Sequence, residues 1–150
     1  MKYVSEYCYE FYPRDRVFLS KYVGTWPPPP EGEELEEPDR RLLAVRRGRA
    51  DAVVVTSDRI IVIEAKIRPE RYPDGLAKVQ IYKNLVEATP ELAEYLPRPI
   101  EAVLLTPILH PTVAKLADEA GVKNVVWSTK DIDEYLRRLY PYLKQVPRYE

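Results

Sequence analysis

One cysteine, one histidine, one methionine, two phenylalanines and five glycines are all that 150 residues supply of those types. A lone Cys8 excludes an intramolecular disulfide and a cysteine zinc cluster. A lone His110 excludes a metal site built on several histidines, and no motif supports a serine triad around it. Its setting, LTPILHPT ahead of an expected helix, suits a capping or loop residue. No apolar run reaches the roughly 20 residues that span a bilayer. The N-terminal MKYVSEYCYEFYP has no signal-peptide core, so an intracellular protein that is not membrane-bound is the expectation. Glutamine is also scarce, with Gln80 and Gln145 alone.

What is present is charge, proline and tyrosine. With 45% hydrophobic residues and 31% charged, the chain has the composition of a folded globule and not of a disordered segment. Its length suits one domain with a real core. Fifteen prolines and twelve tyrosines, with abundant Glu and Arg, lean toward a thermophilic source. The net charge of −1 conceals segregation. EGEELEEPD (31–39) carries six acids and no base, whereas residues 40–83 hold eleven Lys/Arg against five Asp/Glu. A locally basic region of that kind is compatible with phosphate binding; a solvated charged face on a heat-stable protein is the plainer account.

Along the chain, residues 1–25 suggest one or two helices interrupted at Pro13, from the spacing of Tyr3, Tyr7, Phe11, Val17, Phe18, Tyr22 and Val23. WPPPPEGEELEEP (26–38) breaks regular structure and begins a Pro-rich, acidic loop over 26–39, with an interaction tether as the functional alternative. From Arg40 the pattern is regular. RRLLAV reads as a strand, RRGR as a turn, ADAVVVT and RIIVIEAKI as strands joined at Ser57-Asp58. A helix over about 75–88 is expected, N-capped by Asp74. A strand at 100–106 follows, then a helix at about 112–120 between Thr112 and Gly121. VKNVVWS is a further strand, and a last helix enters through Ser128 or Thr129, so that 128–150 is a C-terminal helix and tail. Val53–Val55 and Ile60–Ile63 are apolar without alternation, as in strands covered on both faces. The class is therefore three-layer α/β with a mixed sheet. Trp26 and Trp127 read as packing residues.

The hairpin carries charges that need a reason. With Ser57-Asp58 as a two-residue tip, Thr56 pairs with Arg59, and Asp51 falls directly opposite Glu64. Opposed side chains share a face with Cβ atoms about 5 Å apart, and Lys66, two residues on, points the same way. Two facing carboxylates are destabilising unless something positive lies between them. A hard divalent ion, Mg²⁺ or Mn²⁺, with waters and a backbone carbonyl, suits such a pair, and it can acidify a water and offset charge on a phosphate oxygen. The plainer account has Asp51 and Glu64 as strand-end charges paired to Arg49 or Lys66.

Asp51, followed across a hairpin by Glu64-Ala65-Lys66, resembles the PD-(D/E)XK nuclease superfamily, which includes type II restriction enzymes, archaeal Holliday-junction resolvases and RecB-like exonucleases. The resemblance spans roughly residues 40–127. It implies a restriction-endonuclease-like α/β/α fold with an αβββαβ core, to which this chain adds αβα. It implies that Asp51 and Glu64 bind the metal with help from the Ala65 carbonyl, that Lys66 assists the attacking water, and that the reaction is phosphodiester hydrolysis in DNA. A thermophile's virus or mobile element is one setting for such an enzyme. Relatives often add a glutamate from the first helix, for which Glu6 and Glu10 are candidates. RecB-like members carry a glutamine and a tyrosine four residues apart on the next helix. Here Gln80 and Tyr82 are two apart, on different faces, and alignment on Tyr82 puts Lys78 in the glutamine's place; Gln80 stays a site candidate. A lone domain without a recognition module calls for a homodimer or a protein partner. The alternative function is a catalytically inactive module of this fold that binds nucleic acid or protein.

Overall fold

Residues 2–24 and 48–145 are described by the computed structural model. They run α1 (Lys2–Phe11), β1 (Arg16–Val23), β2 (Gly48–Val55), β3 (Ile60–Ala65), α2 (Tyr72–Val86), β4 (Ile100–Thr106), α3 (Pro111–Glu119), β5 (Lys123–Val126) and α4 (Lys130–Leu139). Short 3₁₀ turns occupy Pro69–Arg71, Pro90–Tyr95 and Pro141–Gln145. The strands form one sheet in the order β1-β2-β3-β4-β5. Pairing is antiparallel from β1 to β3 and parallel from β3 to β5. Helices α2 and α3 pack with Val53, Val55, Ile60, Val62 and Leu104 on one face. Helix α1 and Ile132 of α4 pack with Val54, Ile61, Ile63, Val103 and Leu105 on the other. Both faces are thus dry, which is why the central strands lack polar alternation; each buried Val or Ile contributes about 1.5–3 kcal/mol. The element order is the αβββαβ core followed by αβα, a mixed-sheet α/β/α sandwich. Among the described residues no helix is long and apolar enough to cross a membrane.

Several boundaries differ from expectation. The second N-terminal helix is instead strand β1, so the first strand of the core precedes residue 40. RRLLAV (40–45), Trp26, the 26–39 loop and residues 146–150 lie outside the described residues. Helix α2 starts at Tyr72, three residues earlier than expected, and Asp74 sits inside its first turn. There a carboxylate still favours the helix through the dipole, but it is not the N-cap. Helix α3 is capped by His110, whose Nδ1 accepts from Val113 N–H at 3.3 Å, and not by Thr112. Pro111 at the first helical position fixes that geometry. Gly121 follows α3 with φ +72°, as a C-terminal glycine should. Thr129 caps α4 by accepting from Ile132 N–H. Cys8 is a buried free thiol, and Trp127 packs against Tyr3, Tyr7 and Phe11.

The β2–β3 hairpin has the expected register: Ala52↔Ile63, Val53↔Val62, Val54↔Ile61 and Val55↔Ile60. Thr56 N–H donates to the Arg59 carbonyl at 2.9 Å and closes the Ser57-Asp58 tip. At the other end the strands kink. Pairing of β1 with β2 passes from Leu19↔Ala52 to Lys21↔Ala50, leaving Ser20 opposite Asp51 without a ladder partner. Ser20 has φ +51°, a left-handed conformation that non-glycine residues seldom adopt. Val53 and Val55 face α2, yet Ala50 joins the same cluster, so strict alternation in β2 breaks beside Asp51.

Candidate active site

That kink builds the site. Thr56/Arg59 is a hydrogen-bonded rung, so alternation makes Asp51/Glu64 a non-hydrogen-bonded rung, where side chains stand closest. One rung further, Ala65 N–H would donate to the Ala50 carbonyl in a regular ladder. It donates instead to Asp51 Oδ2 at 2.8 Å. The aspartate side chain therefore replaces a backbone acceptor, and the two strands part around it. A strand residue directs its N–H and C=O to the same edge, so the Ala65 carbonyl faces this opening. The next N–H, from Lys66, turns the other way and bonds the Leu105 carbonyl at 3.0 Å.

The carboxylates are buried and close. Glu64 is 5% exposed. Burial, then the neighbouring Asp51 charge, pushes its carboxyl up to about 7. Burial also raises Asp51, against the opposing pull of the Ala65 N–H and Lys66. Burial and mutual repulsion together disfavour ionising both acids at once. Lys66 Nζ lies 3.5 Å from Glu64 Oε1. Glu64 Oε2 is buried with no hydrogen-bond partner. An orphaned carboxylate oxygen facing a second carboxylate is the donor set a hard divalent cation satisfies. Among the described residues no third Asp, Glu, His or Cys joins them. Asp51, Glu64 and the Ala65 carbonyl are then the protein groups that could hold Mg²⁺ or Mn²⁺, with waters completing the shell.

Helix α2 braces the lysine. Asp74 Oδ2 receives Lys66 at 3.6 Å, Lys78 at 3.2 Å and Arg71 at 3.7 Å. These cations hold the Asp74 carboxyl below the usual aspartate range, Lys78 foremost. Gly75 gives the Lys66 stem its path: a Cβ there would meet Lys66 Cγ at 2.8 Å and Leu104 Cδ1 at 2.9 Å. Alanine would otherwise favour a helix over glycine by about 1 kcal/mol. A Gly75→Ala variant is nonetheless expected to be less stable, by about 1–3 kcal/mol from overpacking, in chemical denaturation. A midpoint at or above wild type would show that Lys66 moves aside freely. Gly48 serves Tyr82 likewise, since a Cβ there would meet the Tyr82 ring at 2.2 Å. Burial, then the Glu64 charge, raises the Tyr82 hydroxyl, and Asp51 acts in the same direction.

The structure thus gathers Asp51, Glu64, Ala65 and Lys66. It does not gather Gln80, which is exposed and donates to the Leu76 carbonyl one turn back. The helix residue whose charge acts on Glu64 is Lys78, the position reached by aligning on Tyr82. Glu6 and Glu10 lie on α1, which covers the opposite face; Glu6 pairs with Lys2 at 3.6 Å and Glu10 is exposed. Sequence reasoning missed Asp74 and Gly75 as braces of Lys66. The Asp74…Lys78 spacing of four on a helix was the available signal.

No family model matches the sequence, and no curated protein matches it. Among solved structures, the chain is similar to one described as "Structure of EndoMS-dsDNA2 complex", with 16% identity and a TM-score of 0.49. That match covers 85% of this chain and 44% of the other. It is also similar to protein VC1899 from Vibrio cholerae, with 17% identity and a TM-score of 0.46, covering 91% of this chain and 31% of that one. The chain spans less than half the length of either.

Proposed function

We propose that this protein is a metal-dependent nuclease of PD-(D/E)XK type that hydrolyses phosphodiester bonds in DNA. One observation carries the reading: Asp51, Glu64 and Lys66 converge where β2 and β3 part, and a buried Glu64 oxygen there lacks any donor. Asp51, Glu64 and the Ala65 carbonyl would hold Mg²⁺ or Mn²⁺, which when bound supplies an acidified water and neutralises phosphate charge. Asp51 is positioned for this by the Ala65 N–H, and Glu64 by the parallel β3–β4 ladder. Water attacks phosphorus and the ester oxygen departs, so negative charge gathers on the phosphoryl oxygens. Lys66, kept near Glu64 by Asp74 and by the space over Gly75, is placed to orient that water or to offset the charge.

The test is incubation of the full chain with linear duplex, branched and single-stranded DNA in Mn²⁺ and in EDTA, with Asp51→Asn as control. Cleavage is expected in Mn²⁺ alone and to vanish in Asp51→Asn. Cleavage that persists in EDTA or in Asp51→Asn overturns the reading. Salt-dependent DNA binding without cleavage in any metal would identify a non-catalytic module instead.

A further inference from the structure

A cavity of about 510 Å³ opens beside Ala65 and Lys66 and is lined further by Ile67, Arg68, Glu70 and Arg71. Its volume is of the size that takes a small ligand or a single nucleotide. Three cations and one acid give it a positive lining. Arg68 spends its Nε on Glu70, at 2.8 Å, and on the Tyr140 hydroxyl, at 3.2 Å. No described contact engages its terminal amino groups. Arg71 reaches Asp74 only at 3.7 Å. Both guanidinium groups are therefore available to a phosphate in the forked geometry that arginine favours.

The same arginine organises aromatic rings. Tyr140 donates its hydroxyl to Glu70 at 2.6 Å while accepting from Arg68, which ties its ring to two residues of the cavity lining. Tyr142 packs against Tyr140 with centroids 6.0 Å apart and planes at 73°. Tyr142 is 69% exposed, a large ring held in place yet left in water. Tyr135, also exposed, stands near enough to act electrostatically on Arg68. Exposed rings beside a positive groove are the elements with which proteins hold unpaired bases. A duplex offers its base faces to its own neighbours and would leave these rings unused.

Building on the nuclease reading, we infer that this cavity and the tyrosines tied to Arg68 and Glu70 hold one nucleotide of an unpaired strand, with phosphate on Arg68 and Arg71 and base on Tyr142. Single-stranded DNA, or the unpaired part of a gapped, flapped or frayed duplex, is then the substrate class of the Asp51–Glu64 site.

The experiment measures binding of the full chain to fluorescent oligo(dT) and to a blunt duplex of equal length, in EDTA so that nothing is cleaved. Expected is tighter binding of the single strand. Tyr142→Ala should weaken it about fivefold or more, Tyr142→Phe should restore it, and duplex binding should not change. Arg68→Gln should lower the slope of log K against log salt by about 1. Equal affinity for both DNA forms, or single-strand affinity untouched by Tyr142→Ala, overturns the inference. So would a poly-glutamate peptide that binds as tightly and with the same Tyr142 dependence, because the occupant would then be an acidic protein segment. Because no metal is present, single-strand binding with these dependences sustains the inference even where cleavage fails, and cleavage without them sustains only the nuclease reading.

Discussion

Glu64→Gln is expected to melt higher than the wild-type protein in metal-free buffer at pH 8, while DNA cleavage falls on the order of a thousandfold. Both effects come from one buried charge. The Glu64 carboxyl is pushed from its ordinary 4.5 up to about 7 in the folded chain. A group raised in this way contributes stability below its unfolded value, where it is protonated in both states. It loses that contribution as pH rises through the folded value, because the folded state must then carry a desolvated charge. The window is about pH 4.5 to 7, and the loss across it is about 3 kcal/mol. Glutamine stays neutral and keeps the shape, so the gap between variant and wild type should open across that window and level off above it. For a chain of this size the gap corresponds to roughly 6–12 °C. Saturating Mn²⁺ should reverse the order, raising the wild type by mass action and leaving the variant unmoved. Thermal melts from pH 4 to 8, in EDTA and in Mn²⁺, check every step. A Glu64→Gln protein that melts lower at pH 8 without metal would show that the carboxylate is structural.

The parts of this site that were legible in the sequence share one property: a local constraint decides them. A two-residue tip between two apolar runs leaves a single register that keeps both runs buried. That register puts Asp51, Glu64 and Lys66 on one face. Strand β4 was legible to the residue because IEAVLLT is apolar on both faces. Strand β1 was not. The left-handed kink at Ser20 turns the strand over without changing its register, so Val17 and Val23 pack on opposite faces and period-two reading fails. Distance along the chain hid the pairing as well, since β1 meets β2 across 24 intervening residues. The choice between Gln80 and Lys78 turned on helix phase. An early start at Tyr72 does not alter which residues share a face, but it puts Asp74 in the first turn, where it gathers Lys66 and Lys78. A capping role for Asp74 would have hidden that function. His110 was legible only as a capping or loop residue, because one histidine has no partner for other work, and the cap itself was expected at Thr112.

Lys66→Met carries the second large effect: cleavage is expected to fall about a hundredfold or more, while divalent metal still binds. Methionine keeps a flexible stem of similar length, so it can follow the path that Gly75 leaves open beside Leu104. What disappears is the ammonium 3.5 Å from Glu64 Oε1. Asp74 retains Lys78 and Arg71 and stays ionised. Glu64 keeps no comparable partner, and its carboxyl moves further up, because Lys66 is the nearest group that lowers it. A metal must displace the proton it finds there, so Mn²⁺ binding by the variant should require higher pH than in the wild type, with the midpoint displaced upward. Calorimetric titration of Mn²⁺ from pH 6 to 9 reads that displacement. Single-turnover cleavage at saturating Mn²⁺ and high pH then isolates the chemical step. If the ammonium only balances the carboxylates, saturating metal restores the wild-type rate, because the cation supplies the missing charge. If Lys66 orients the attacking water or offsets charge on the phosphoryl oxygens, the deficit persists with metal fully bound. A full recovery would remove Lys66 from the chemistry and leave it as a partner of Glu64 alone.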